Sequence, residues 1–308
     1  MKTLTAIASF SLLATGACSH AASTPAGLAK ALQASLDKGD FTAARNLADI
    51  GDAPAELQFF YFDSVRECAS EATCTVSTAT ASDELRQKLK DQAAQLHAQA
   101  PDVDGMITVA VKSKDGSGSG TLKMPYAKVG NDVKIVSIHY SPAEFATLRA
   151  KTDDALAQEL FAEGIRNDQG EMKTDWATAA SRLPADGGDA GKAFVARTRA
   201  MSAAVDAKDP DAAMRSGGMG AQIVYRDKDS AGKPIPMLDR QRKLHVQSLR
   251  MLRDVKVNGG YGRGNDAVLM IEARNGIGWT VRGPILLTRD DDGWERAGDH
   301  LVSYPAGS

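Results

Sequence analysis

Cysteine is scarce in this chain of 308 residues: there are three, Cys18, Cys68 and Cys74. No histidine or further cysteine lies beside Cys68 and Cys74 to complete a metal site. An excess of one charge is also missing. Lys and Arg number 37 against 39 Asp and Glu, a net charge of −2. Bulk charge therefore points to neither nucleic acid nor anionic lipid. Beyond the N-terminus no apolar run is long enough to span a bilayer. Catalytic signatures are absent too: there is no Gly-x-Ser-x-Gly elbow and no His-Glu-x-x-His helix. His97, His139, His245 and His300 have no His or carboxylate partner at metal-ligand helical spacing. The sequence thus implies no cofactor, no metal and no assigned catalytic residue.

What is present starts at the N-terminus. Lys2 supplies a positive charge, and Leu4 to Ala14 is an apolar stretch too short to cross a membrane, the pattern of a secretory signal over residues 1–21. Thr15-Gly16-Ala17-Cys18 resembles a bacterial lipobox, in which Cys18 is the lipidated residue. Thr15 stands where Leu is usual. Cleavage after Ala21 or Ala22 is the alternative. The expected location is the periplasm, anchored to the outer membrane by lipid if Cys18 is acylated and otherwise secreted. Export leaves Cys68 and Cys74 as an even pair in an oxidising compartment, which predicts a local disulfide.

Residues 25–141 read as a first α+β module. Pro25 to Ile50 has helical spacing with a break at Lys38-Gly39-Asp40. Phe59-Phe60-Tyr61-Phe62 reads as a strand. The cysteine segment follows as a loop. Ser82 to Gln99 is a helix with Ser82 as N-cap. Met106–Lys112, Thr121–Val129 and Val133–Tyr140 are strands. Residues 142–189 read as a helical linker, with Pro142 to Arg166 helical and a short helix around Trp176.

The pattern then begins again over residues 190–308. Asp206-Ala-Lys-Asp209 parallels Asp37-Lys-Gly-Asp40. Ile223–Tyr225 reads as a short strand, and Met237 to Arg253 as a helix matching Ser82 to Gln99. Three strands follow, Val268–Ala273, Trp279–Leu287 and Trp294–Val302, with Pro284 aligned to Pro125. Asn275-Gly276 and Asp292-Gly293 are the turn signals between them. Gly259 to Gly264 looks like a phosphate loop, but strand pattern follows it where a helix is required, so a hairpin loop is the reading. The Asp290–Gly293 run lacks the spaced ligands of a calcium loop and reads as a turn.

Helices followed by an antiparallel meander, closing on a Gly293-Trp294 signal, resemble the cystatin-like α+β roll, and within it the nuclear transport factor two-like superfamily. The resemblance covers residues 25–140 and 190–303. It implies two tandem cone-shaped rolls with open mouths, in a group that includes binding modules, isomerases and dehydratases. Phe59, Tyr61, His139, Trp279 and His300 are the expected pocket-lining residues. Arg240, Arg242, Lys243 and Arg250, on one basic helix, are the expected contacts for a partner.

These features together predict a non-enzymatic exported protein that binds another protein, of the immunity or inhibitor lipoprotein type. The alternatives are a carrier of a small apolar ligand in a cone, and an isomerase or hydrolase of the same fold. The membrane is engaged only through an N-terminal lipid.

Overall fold

The computed structural model describes residues 22–163, 180–291 and 293–306. The signal segment, Cys18 and the helix expected at Trp176 lie outside these residues. The chain is α+β, with helices packed on two antiparallel-rich sheets that form two tandem rolls.

In the first module α1 (Pro25–Lys38) is entered through Thr24, whose hydroxyl accepts from the Gly27 N–H at 3.1 Å. Leu28, Leu32 and Leu36 form its buried stripe. The helix ends at Gly39, in a left-handed conformation with φ 64°. Asp40 then caps α2 (Phe41–Asn46), and β1 (Ala48–Asp49) follows. The same junction closes the first helix of the second module, α7 (Gly188–Asp206), before α8 (Pro210–Ser216). In both, the left-handed residue donates to the carbonyl three residues back and the next N–H to the carbonyl five back: Gly39 to Leu36 and Asp40 to Ser35, Lys208 to Val205 and Asp209 to Ala204. Asp209 caps α8 as Asp40 caps α2. The repeated Asp-x-x-Asp motif therefore encodes one helix stop and one helix start, twice.

The aromatic run expected as a strand is instead part of α3 (Ala55–Ser70). Ala55, Phe59, Phe62, Val65 and Cys68 are buried at spacings of three and four, while Phe60 stays 56% exposed. A strand buried on both faces would cover all four aromatics, so helical burial overrode their local β preference. Cys68 lies in the last turn of this helix and Cys74 sits in β2 (Ala72–Thr80), a strand not foreseen from the sequence. Their sulfurs are bonded, at 1.97 Å.

Next come α4 (Asp83–Gln95), capped by Ser82 as expected, and the strands β3 (Gly105–Ser113), β4 (Ser119–Val129) and β5 (Asp132–Val136). The first sheet has the order β1-β5-β4-β3-β2, with β1 parallel to β5. Helices α5 (Pro142–Ala150) and α6 (Asp153–Glu163) lead across to the second module.

That module contains β6 (Ser181–Leu183), α7, α8, α9 (Gly218–Tyr225) and α10 (Met237–Arg250), then β7 (Arg253–Arg263), β8 (Asp266–Arg274), β9 (Trp279–Asp290), β10 (Gly293–Asp299) and β11 (Val302–Pro305). Three readings are corrected here. Ile223–Tyr225 is helical, because Ala221 and Tyr225 lie one turn apart and both bury toward Leu244. The segment from Gly259 to Gly264 is largely strand rather than loop: Gly259–Arg263 completes β7, with a bulge between Val257 and Gly260 that admits the glycines into the strand. The third strand of the meander splits at His300 and Leu301, so β10 and β11 both pair with β9. Gly283 permits this split: a Cβ there would lie 2.4 Å from the His300 carbonyl oxygen.

The second sheet has the order β10-β9-β8-β7-β6. Met106 faces Pro125 across β3–β4, and Met270 faces Pro284 across β8–β9. The aligned prolines thus occupy the same register position. The helix equivalence is corrected, however. Helix α10 directly precedes the meander β7–β10, as α3 precedes β2–β5, so its counterpart is α3. Helix α4 is an insertion between β2 and β3.

Candidate functional site

Each roll leaves a groove between its sheet and helices. The smaller, of about 450 Å³, is in the first module and is lined by Leu57, Phe60, Tyr61, Leu122 and Met124. The larger, of about 1070 Å³, belongs to the second. Its floor is the inner face of the second sheet, through Val281 and Leu287 of β9 and Trp294 of β10. Its walls are α7 through Phe194 and Met201, and α9 through Val224. Phe59 and Tyr140 of the first module close one side. The groove is therefore built by both modules.

How the modules join explains why. Helices α3 and α10 pack together, and the basic residues of α10 make the joint. Lys243 pairs with Glu71 at 3.1 Å. Arg242 donates to the Lys38 carbonyl at 3.0 Å and also pairs with Asp239. Gly39 makes room for it: a Cβ there would lie 2.8 Å from the Arg242 Nε. The Arg250 guanidinium sits 5.5 Å over the Phe59 ring. Arg240 is buried, paired with Asp211 and donating to the Tyr225 carbonyl at 2.7 Å. The basic cluster expected to meet a partner is thus engaged within the chain: Arg242 and Lys243 find acceptors across the joint, Arg240 finds its own within the second module, and Arg250 is held only by the Phe59 ring.

The expected pocket residues divide. Phe59 and His300 line the larger groove, and Tyr61 lines the smaller. Burial raises the Tyr61 phenol well above its ordinary value, and its hydroxyl donates to the Ala44 carbonyl at 2.7 Å. His139 lines neither groove and exchanges backbone hydrogen bonds with Gln99. Trp279 is buried at the start of β9 and lines neither groove; its ring is edge-on to Phe145 at 5.4 Å.

Most charged groups of the larger groove are neutralised in pairs. Arg197 of α7 meets Glu295 of β10 at 2.8 Å. Arg296 pairs with Asp299. His300 Nε2 lies 2.8 Å from Glu159, which Lys151 also holds. The Lys151 hydrogen bond outweighs burial and, with His300, keeps the Glu159 carboxyl below its usual range. Arg197, Met201, Val224 and Glu295 were not singled out from the sequence. They carry no motif, and they converge only because α7, α9 and β10 meet. Among the described residues no group of His, Cys, Asp and Glu is arranged to hold a metal ion, and no helix is long and apolar enough to cross a membrane.

No family model matches the chain, and no curated protein does. A cystatin-like protein from Ruminococcus gnavus, known from its crystal structure, is similar at 13% identity over 87% of this chain and 82% of that one, with a TM-score of 0.16. Superposition that poor carries no argument about this protein.

Proposed function

We propose that this is an exported, non-enzymatic binding protein that receives an apolar guest in the groove of its second module. The observation that carries the reading is the groove: about 1070 Å³, floored and walled by Phe194, Met201, Val224, Val281, Leu287 and Trp294. Pockets that bury a small ligand are of this size and are predominantly apolar, with few polar groups. The resemblance to cone-shaped rolls supports the same assignment, and the pairing of Arg197, Arg296 and His300 with carboxylates favours holding a guest over proton transfer.

Gly220 supplies the test. It lies in α9 on the groove, and a Cβ there meets nothing within 4 Å. Gly220→Trp should fill the groove while keeping the helix, since glycine is a poor helix former. Saturable binding of an environment-sensitive apolar dye to the wild type, lost in Gly220→Trp with the thermal midpoint kept, is the expected result. A dye that binds both proteins equally would overturn the reading.

A protein partner is the second reading. Phe60 and Leu96, 56% and 44% exposed, flank the smaller groove and leave apolar surface in water beside it. Export is part of the proposal: Cys18→Ser should release the protein from the membrane fraction if Cys18 is acylated, and unchanged fractionation would remove the lipid anchor.

A further inference from the structure

The reading of the larger groove as a guest site can be taken one step further, to the guest's head group. The charged side chains lining the groove are Glu56, Arg197, Arg250, Glu295, Arg296, Asp299 and the imidazole of His300. Five of these are in ion pairs: Arg197 with Glu295, Arg296 with Asp299, and His300 with Glu159. Two make no ion pair among the described residues, and they have opposite signs. Glu56 is in the first turn of α3, one turn before Phe59. Arg250 ends α10, and its guanidinium lies over the ring of that same Phe59. Both are exposed, so they stand at the water-facing side of a groove whose floor is apolar.

The joint between the modules is what brings them together. Elsewhere along it, cations of α10 are matched by acceptors of the first module, Arg242 by the Lys38 carbonyl and Lys243 by Glu71. At the groove the matching stops. Arg250 is given a ring and Glu56 is given nothing.

An anionic head group would gain Arg250 and be repelled by Glu56, and a cationic one the reverse. A neutral apolar guest would use neither. A head group carrying both signs satisfies both residues at once. We propose that the guest is a monomeric zwitterionic amphiphile: its alkyl chain lies along the apolar floor, its anionic group meets Arg250 and its cationic group meets Glu56.

The test uses the full mature chain and three probes with the same twelve-carbon tail, each below its micelle concentration: dodecylphosphocholine, dodecyl sulfate and dodecyltrimethylammonium. Trp294 lines the groove and reports binding by fluorescence. The zwitterion should bind several-fold more tightly than either singly charged probe, the scale of one exposed ion pair. Glu56→Gln should turn the preference toward dodecyl sulfate, Arg250→Gln toward dodecyltrimethylammonium, and the double variant should bind all three alike. Equal binding of the three probes by the wild type, or a preference that neither variant moves, overturns the head-group assignment. If such binding is still abolished by Gly220→Trp, the groove reading stands without it. If no probe binds the wild type, both fall.

Discussion

The two sheets share a meander and a register, yet they are covered differently. In the first, α1 and α3 bury the inner face, where Ile107, Val109, Met124 and Ile135 are closed off. Much of its outer face is bare: Thr75, Ala110 and Thr121 are cross-strand neighbours and all are exposed. The second sheet is buried on both faces. Leu269, Ile271, Val281 and Leu287 pack toward α7. Val268, Met270 and Leu286 pack the other way, into the same apolar cluster as Phe145, Leu156 and Leu160 of α5 and α6. The segment between the modules therefore acts as a third layer on the second sheet. A one-sided sheet needs alternation and a two-sided sheet needs continuous apolar strands. Ile107-Thr108-Val109 and Val268-Leu269-Met270-Ile271 show that difference in the sequence itself.

The difference between the two sheets is tested most directly at the two register-equivalent methionines. Met270 is 3% exposed, and Met106 is only partly buried. Met270→Ala should cost about 2–4 kcal/mol by denaturant titration, and Met106→Ala under about 1 kcal/mol. Equal losses would mean that α5 and α6 contribute no packing to the second sheet.

The disulfide sharpens the asymmetry, because it staples the end of α3 to β2 in the first module alone. Cys68→Ser with Cys74→Ser should cost about 2 kcal/mol, the entropy of so short a loop. Hydrogen exchange should rise in β2 and β3 and not in β8. Exchange that rises evenly through both sheets would show the modules unfolding as one unit.

The smallest expected effect is on pH. Burial raises the Glu71 carboxyl, but Arg66 and Lys243 outweigh it and hold the pKa below its ordinary value. A depressed carboxylate contributes stability that is present above its unfolded pKa and lost as pH falls through the folded one. Because Lys243 belongs to the other module, that loss loosens the joint. Glu71→Gln should flatten the acid limb of the stability curve by under about 1 kcal/mol, the range of an exposed pair. An unchanged limb would show that the ion pair couples nothing.

Much of the fold was legible locally. Ser82 announced its helix, and the paralleled Asp37–Asp40 and Asp206–Asp209 breaks marked theirs, because a cap or a stop is settled within a few residues. The hairpins of the C-terminal meander were visible for the same reason. Where local preference and burial disagreed, the sequence misled. Phe59 to Phe62 has strand propensity but lies where α1 needs a helix to cover the first sheet, and Gly259 to Arg263 reads as a loop until a bulge admits it to β7. The candidate site was the least legible. Phe59 and His300 were foreseen as pocket residues, whereas His139 and Trp279 were placed elsewhere by backbone pairing and by the layer of α5 and α6.

The sequence alone determined the hairpins of the C-terminal meander, the repeated Asp-x-x-Asp junction and the pairing of Cys68 with Cys74, since each depends on residues a few positions apart. Only the tertiary structure decided that α10 packs on α3, that its cations form a joint, and that a large groove opens beside it with Glu56 and Arg250 at its mouth. Those residues are separated by nearly two hundred positions, and what they do depends on which surfaces are withdrawn from water together, a property that no local window of the chain contains.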